Sequence, residues 1–150
     1  YTDEAINEFL LELDKNNLLD NTVIMIYGDH TGVHKFYEDE LSSVNLEGDW
    51  WKINDNKIPY IIYNKILNEE INSTAGGQVD FLPTISYLLG IDRSDFDNTS
   101  MGRILVNTNR NSTILNNGEI IGENISTEEK SHLENTFKIA DNIIKGNYFK

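Results

Sequence analysis

Thr22-Val23-Ile24-Met25-Ile26-Tyr27-Gly28-Asp29-His30 is the stretch on which the reading of the fold turns. Six mostly apolar, β-branched-rich residues run without alternation, as in a strand buried on both faces of a parallel sheet covered by helices. Upstream, Thr2 is placed to cap a helix whose first turn carries Asp3 and Glu4, favourable at the positive end of the helix dipole. Ile6, Phe9, Leu10 and Leu13 follow at helical spacing and predict one buried stripe. Asn16 and Asn17 end that helix, and Asp20-Asn21 turns the chain into the strand. A helix followed by a buried strand is half of an α/β repeat.

Downstream, residues 34–51 are mixed, aromatic and acidic, which predicts a long excursion with a short helix. Ile58-Pro59-Tyr60-Ile61-Ile62-Tyr63 predicts a second strand, with Pro59 at its start or on an edge. After the Ala75-Gly76-Gly77-Gln78 loop, Asp80 is placed to cap a helix with Pro83 in its first turn. Leu82, Ile85, Leu88 and Leu89 are expected to face inward, and Gly90 to stop that helix. Ile104-Leu105-Val106 and Thr113-Ile114-Leu115 read as strands, and Asn117-Gly118 as a hairpin turn returning through Glu119-Ile120-Ile121. Ser126 and Glu129 form a capping-box pattern opening a helix to about Lys145, with Leu133, Phe137, Ala140 and Ile144 on one face. No linker is long enough to separate a pair of domains. The expectation is one α/β unit over residues 1–150 with an appended β-hairpin and C-terminal helix.

Composition narrows the function. Twelve Lys and Arg against 25 Asp and Glu give a net charge of −13 over 150 residues. That balance argues against nucleic acid and against docking on an anionic lipid surface, both of which need clustered cations. With 39% apolar residues the chain is not disordered by composition. The absence of cysteine excludes disulfides, thiolate zinc sites and Cys nucleophiles. No apolar run approaches the roughly 20 residues of a membrane span. Asn-x-Ser/Thr sequons begin at Asn72, Asn98, Asn111 and Asn124, but in a chain with 20 Asn they carry no reading.

Asp29 and His30 are the sharpest chemical feature, because ligand sites in α/β sheets collect at the carboxyl ends of strands. A carboxylate oxygen beside an imidazole nitrogen suits Mn²⁺, Zn²⁺ or Fe better than Mg²⁺. Gly28 and Gly32 would supply the unusual dihedrals that turn neighbouring side chains toward one point. The competing reading makes Asp29 a simple turn cap. His34 and Lys35 are candidates for an anion contact, against the reading of an ordinary surface loop. Trp50 and Trp51 line a groove or anchor a loop. His132, on the polar side of the last helix, is expected at the surface. No nucleophile elbow, Walker loop or dinucleotide fingerprint occurs.

In order, Tyr1-Thr2-Asp3-Glu4-Ala5-Ile6, Asp20-Asn21-Thr22-Val23-Ile24 and Tyr27-Gly28-Asp29-His30 resemble the C-terminal part of the sulfatase-like enzymes of the alkaline phosphatase superfamily. The branch they most resemble is that of the lipoteichoic acid synthases and related phosphoglycerol transferases. The run from Gly76-Gly77-Gln78-Val79-Asp80 through Leu82-Pro83-Thr84 to Leu88-Leu89-Gly90-Ile91 is similar to a stretch of that branch, as are Ile58–Tyr63 and Asn117-Gly118-Glu119. The resemblance is weakest from Asp92 to Ser112.

The resemblance implies the last portion of an alkaline-phosphatase-like α/β sandwich. It implies that Asp29 and His30 are ligands of a catalytic divalent metal, usually Mn²⁺, with Mg²⁺ as another candidate. A metal-ligating Glu, the nucleophilic Thr and the membrane helices would lie upstream of Tyr1, and the catalytic domain outside the cell. The missing N-terminal part would then be this chain's first partner, and phosphatidylglycerol or a related ester its substrate. Thr31-Gly32-Val33-His34-Lys35 departs from the branch's usual sequence, and marks His34 and Lys35 as a branch-specific substrate contact. A sulfatase or phosphoethanolamine transferase of the same superfamily is the alternative. A non-catalytic acidic binding module that keeps the fold is a third reading. The 150 residues alone are expected to be inactive and to self-associate.

Overall fold

The computed structural model describes residues 1–30, 37–44 and 57–150. These form two compact units, Tyr1–Glu69 and Glu70–Lys150, that adjoin in sequence without a linker.

In the first unit, α1 (Thr2–Lys15) leads through a 3₁₀ turn (Leu19–Asn21) into β1 (Ile24–Tyr27). A short helix, α2 (Glu38–Ser42), is followed by β2 (Tyr60–Tyr63). Thr2 does not cap α1: it is the first helical residue, Tyr1 stands at the N-cap, and no side chain bonds there. The helix stops where the asparagines predict. Asn17 takes the left-handed conformation, φ 56°, and Leu18 N–H reaches back to Leu13 O at 3.0 Å.

The parallel-sheet expectation is corrected. β1 pairs antiparallel with β2, in the register Ile24↔Tyr63 to Tyr27↔Tyr60. Nor is β1 buried on both faces: Ile24, Met25 and Ile26 are half-buried and Tyr27 is exposed. A continuous apolar run states that both faces are greasy, but not the direction of the partner strand. The stripe of α1 is likewise half-covered, with Ile6, Leu10 and Leu13 intermediate and Phe9 exposed.

In the second unit a 3₁₀ turn (Gln78–Asp80) enters α3 (Phe81–Leu88), followed by α4 (Arg93–Phe96). The hairpin β3 (Ser112–Ile114) and β4 (Ile120–Gly122) leads to α5 (Thr127–Lys145). Phe96, Ile104 and Leu133 are its buried aliphatic and aromatic side chains, with Pro83 and Thr84 deepest. The inward face of α3 therefore differs from expectation. Leu82 and Leu89 are exposed, whereas Pro83, Thr84 and Ser86 are buried. Gly90 ends α3 as predicted: its φ is +73°, its N–H bonds Tyr87 O, and Ile91 N–H bonds Ser86 O.

Residues Ile104-Leu105-Val106 are not a strand. Thr84 Oγ1 donates to Arg103 O (3.3 Å) and accepts from Leu105 N–H (3.0 Å), Asn72 Nδ2 donates to Leu105 O (3.0 Å), and Asn107 N–H closes a turn on Ile104 O (3.0 Å). With side chains taking its backbone groups, the segment has no need of a sheet partner. The Asn117-Gly118 hairpin forms, but as a three-residue loop: Gly118 N–H bonds Leu115 O, Leu115 N–H bonds Glu119 O, and Gly118 alone is left-handed, at φ +85°. Among the described residues no helix is long and apolar enough to cross a membrane.

Candidate functional site

In the first unit, β1 delivers Gly28, Asp29 and His30 at its carboxyl end. His30 Nε2 lies 3.5 Å from Asp29 Oδ1, and both side chains are largely exposed. One carboxylate oxygen and one imidazole nitrogen at that separation make a donor pair of the kind that suits a divalent transition-metal cation. Among the described residues no third His, Cys, Asp or Glu joins them. Two donors fill only a fraction of a coordination sphere.

Gly28 serves this pair differently from the sequence expectation. It is not left-handed; it is small because the chain is close. A Cβ there would meet Pro59 Cδ at 3.1 Å and Ile58 Cβ at 3.2 Å. Gly32, His34, Lys35, Trp50 and Trp51 lie outside the described residues.

The second unit holds a buried polar cluster that residue spacing did not reveal. Glu129, on the first turn of α5, is buried, and its carboxylate faces two arginines. Arg103 grips it with both arms, Nε on Oε1 at 3.2 Å and Nη2 on Oε2. Arg110 Nη1 reaches Oε2 at 2.7 Å, and Ser112 Oγ donates to Oε1 at 3.1 Å. Burial pushes the Glu129 pKa up, but Arg103, Ser112 and Arg110 outweigh it and hold the carboxyl below its usual range. The capping box is thus half correct. Ser126 Oγ does accept Glu129 N–H at 3.1 Å, while the carboxylate is committed to the arginines.

His132, expected at the surface, belongs to this cluster. Its Nε2 lies 2.9 Å from Arg103 Nη1 and 3.4 Å from Thr136 Oγ1. Met101 O also lies 3.2 Å from Nε2. Asp80 joins from the other side. Its Oδ1 accepts Arg103 N–H (2.6 Å) and its Oδ2 accepts Gly77 N–H (2.8 Å), so it caps the 3₁₀ turn and not α3. Burial raises the Asp80 pKa against these two hydrogen bonds. The available signal was the scarcity of arginine: the chain has three, and Arg103 and Arg110 flank the approach to the hairpin. Every charge here is paired within the cluster, which marks it as a tie between the 3₁₀ turn before α3, the hairpin and α5.

A family model described as Sulfatase matches residues 1–91, a span that contains β1 and the Asp29–His30 pair. The chain belongs to the sulfatase family, and its fold is of the alkaline-phosphatase-like α/β class. Lipoteichoic acid synthase of Staphylococcus aureus strain USA300 is 30% identical in an alignment of 184 residues, covering 100% of this chain. The synthase of strain NCTC 8325 matches equally. The chain spans 27% of the length of these relatives. The crystal structure of the lipoteichoic acid synthase LtaP from Listeria monocytogenes superposes with a TM-score of 0.64 at 19% identity, over 95% of this chain and 43% of that one.

Proposed function

We propose that this chain belongs to a metal-dependent phosphoglycerol transferase acting on phosphatidylglycerol at the outer face of a membrane. What carries the reading is the Asp29–His30 donor pair at the end of β1, in a sulfatase-family chain similar along its whole length to lipoteichoic acid synthases. Asp29 and His30 would hold the cation, Mn²⁺ first and Mg²⁺ second. A divalent ion bound there supplies Lewis-acid chemistry, lowering a hydroxyl pKa and neutralising phosphoryl oxygens.

A threonine outside these 150 residues is the proposed nucleophile. Its hydroxyl oxygen gives up its proton and bonds to phosphorus as the phosphorus–oxygen bond to diacylglycerol breaks and that oxygen takes a proton. A glycerol hydroxyl oxygen then bonds to phosphorus, the threonine–phosphorus bond breaks, and the acceptor's proton returns to the threonine. His34 and Lys35, close behind His30 in the sequence, are proposed to contact the anionic headgroup.

The test uses the full-length protein with Mn²⁺ and labelled phosphatidylglycerol. Metal-dependent release of diacylglycerol, reduced to background in Asp29→Ala, is expected. If the folded, metal-loaded protein releases none, the substrate is another phosphate or sulfate ester. Release undiminished in Asp29→Ala would remove the metal role from this site.

A further inference from the structure

The register of β1 and β2 puts Gly28 opposite Pro59, one step beyond the Tyr27↔Tyr60 pair. Gly28 N–H donates to Pro59 O at 3.0 Å. Pro59 has no N–H with which to return the bond, and the paired register ends one step earlier, at Tyr27↔Tyr60. At the same step a side chain on residue 28 would be crowded, its Cβ 3.1 Å from the proline ring and 3.2 Å from Ile58 Cβ. A Cβ there would also lie 3.4 Å from His30 O. Asp29 and His30 therefore leave the sheet at a defined point, with their donor atoms 3.5 Å apart.

In an uninterrupted ladder the two side chains would point to opposite faces, since successive residues of a strand alternate. Two adjacent residues can approach one ion only once the strand has ended. We propose that Gly28 and Pro59 are positioning residues: together they stop the β1–β2 ladder so that Asp29 and His30 converge on one cation. The inference rests on the metal-site reading of that pair. It adds two residues that touch neither ion nor substrate.

The experiment is calorimetric titration of Mn²⁺ into metal-free full-length protein, with the metal-free Tm of each variant alongside. Pro59→Ala restores an N–H and adds no bulk. Gly28→Ala adds the crowded Cβ. Each is expected to weaken Mn²⁺ binding roughly tenfold or more, the range typical of residues that orient metal ligands. The metal-free Tm of Pro59→Ala should stay close to wild type. Asp29→Ala should abolish binding.

Wild-type affinity in Pro59→Ala, with binding lost in Asp29→Ala, would overturn the positioning role and leave the metal site standing. A lower metal-free Tm at unchanged affinity would overturn it equally, because that is the mark of a purely structural residue. Wild-type affinity in Asp29→Ala would overturn the metal site and this inference with it. Should Gly28→Ala fail to fold, Pro59→Ala decides.

Discussion

At the scale of single residues, Glu129 has the most to lose. Its carboxylate is buried and Arg103 is nearly so, so removing the negative charge strands a guanidinium among Asp80, His132 and Thr136. Breaking such a pair from one side costs far more than an exposed bridge, and Glu129→Gln is expected to destabilise the protein by about 3 kcal/mol in chemical denaturation. Lys65, between Asp14 (2.7 Å) and Asp20 (2.8 Å), is the contrast. Its two carboxylates hold the ammonium charged, but solvent screens an exposed pair of this kind.

The Glu129 shift also sets an acid limit. A carboxyl held below its ordinary value stabilises the fold above the unfolded value and loses that contribution as pH falls through the folded one. Stability should therefore decline as pH drops below about 4.5, and more steeply in wild type than in Glu129→Gln. Asp80 works in the opposite sense. Its raised pKa means that protonation favours the folded state, so it softens the acid decline. Denaturation midpoints measured from about pH 7 to about pH 3 in both proteins check the sign.

At the scale of elements, the segment between α4 and β3 is held by backbone proximity. A Cβ on Gly102 would lie 2.0 Å from Val79 O and 2.8 Å from Asp80 Cα. That contact is what brings the next N–H, that of Arg103, onto Asp80 Oδ1. Gly102→Ala must push two backbones apart and break that bond, an expected loss of about 3 kcal/mol. Gly90→Ala meets nothing within 4 Å and incurs only the left-handed dihedral, about 1 kcal/mol. Urea denaturation of the two variants side by side separates close packing from conformational preference.

At the scale of the whole molecule, apolar surface dominates. In the first unit Phe9, Leu11, Ile61 and Ile66 are more than half exposed, and Tyr27 nearly so. They occupy α1, both strands and the turn after β2, so the exposure is not confined to one loop. Monomeric proteins seldom leave that much apolar side chain in water, and unpaired strand edges add to the tendency. The 150-residue chain by itself is expected to self-associate at micromolar concentration in sedimentation velocity. A monodisperse monomer would show that these faces tolerate water.

Local chemistry made much of this protein legible from residues alone. Asn17 and Gly90 end helices because short or absent side chains tolerate left-handed backbone. Ser126 opens α5 because its hydroxyl meets a free N–H. Gly118 turns the hairpin for the same conformational reason as Gly90. The Asp29–His30 pair was visible because a buried-type strand ending in Gly-Asp-His is a local pattern, and the ordered motifs around it carried the family.

Tertiary structure decided what local patterns leave open. The antiparallel pairing of β1 with β2 depends on a partner more than thirty residues away. The carboxylate of Glu129 had a local use in the capping box and a distant one on Arg103 and Arg110, and burial favoured the distant one. The same holds for Asp80, for His132 and for Thr84, which takes the backbone groups that would have made residues 104–106 a strand. A residue's conformational preference is written in its own atoms. The partner of a buried polar group is chosen by whichever distant donor or acceptor the fold brings within about 3 Å.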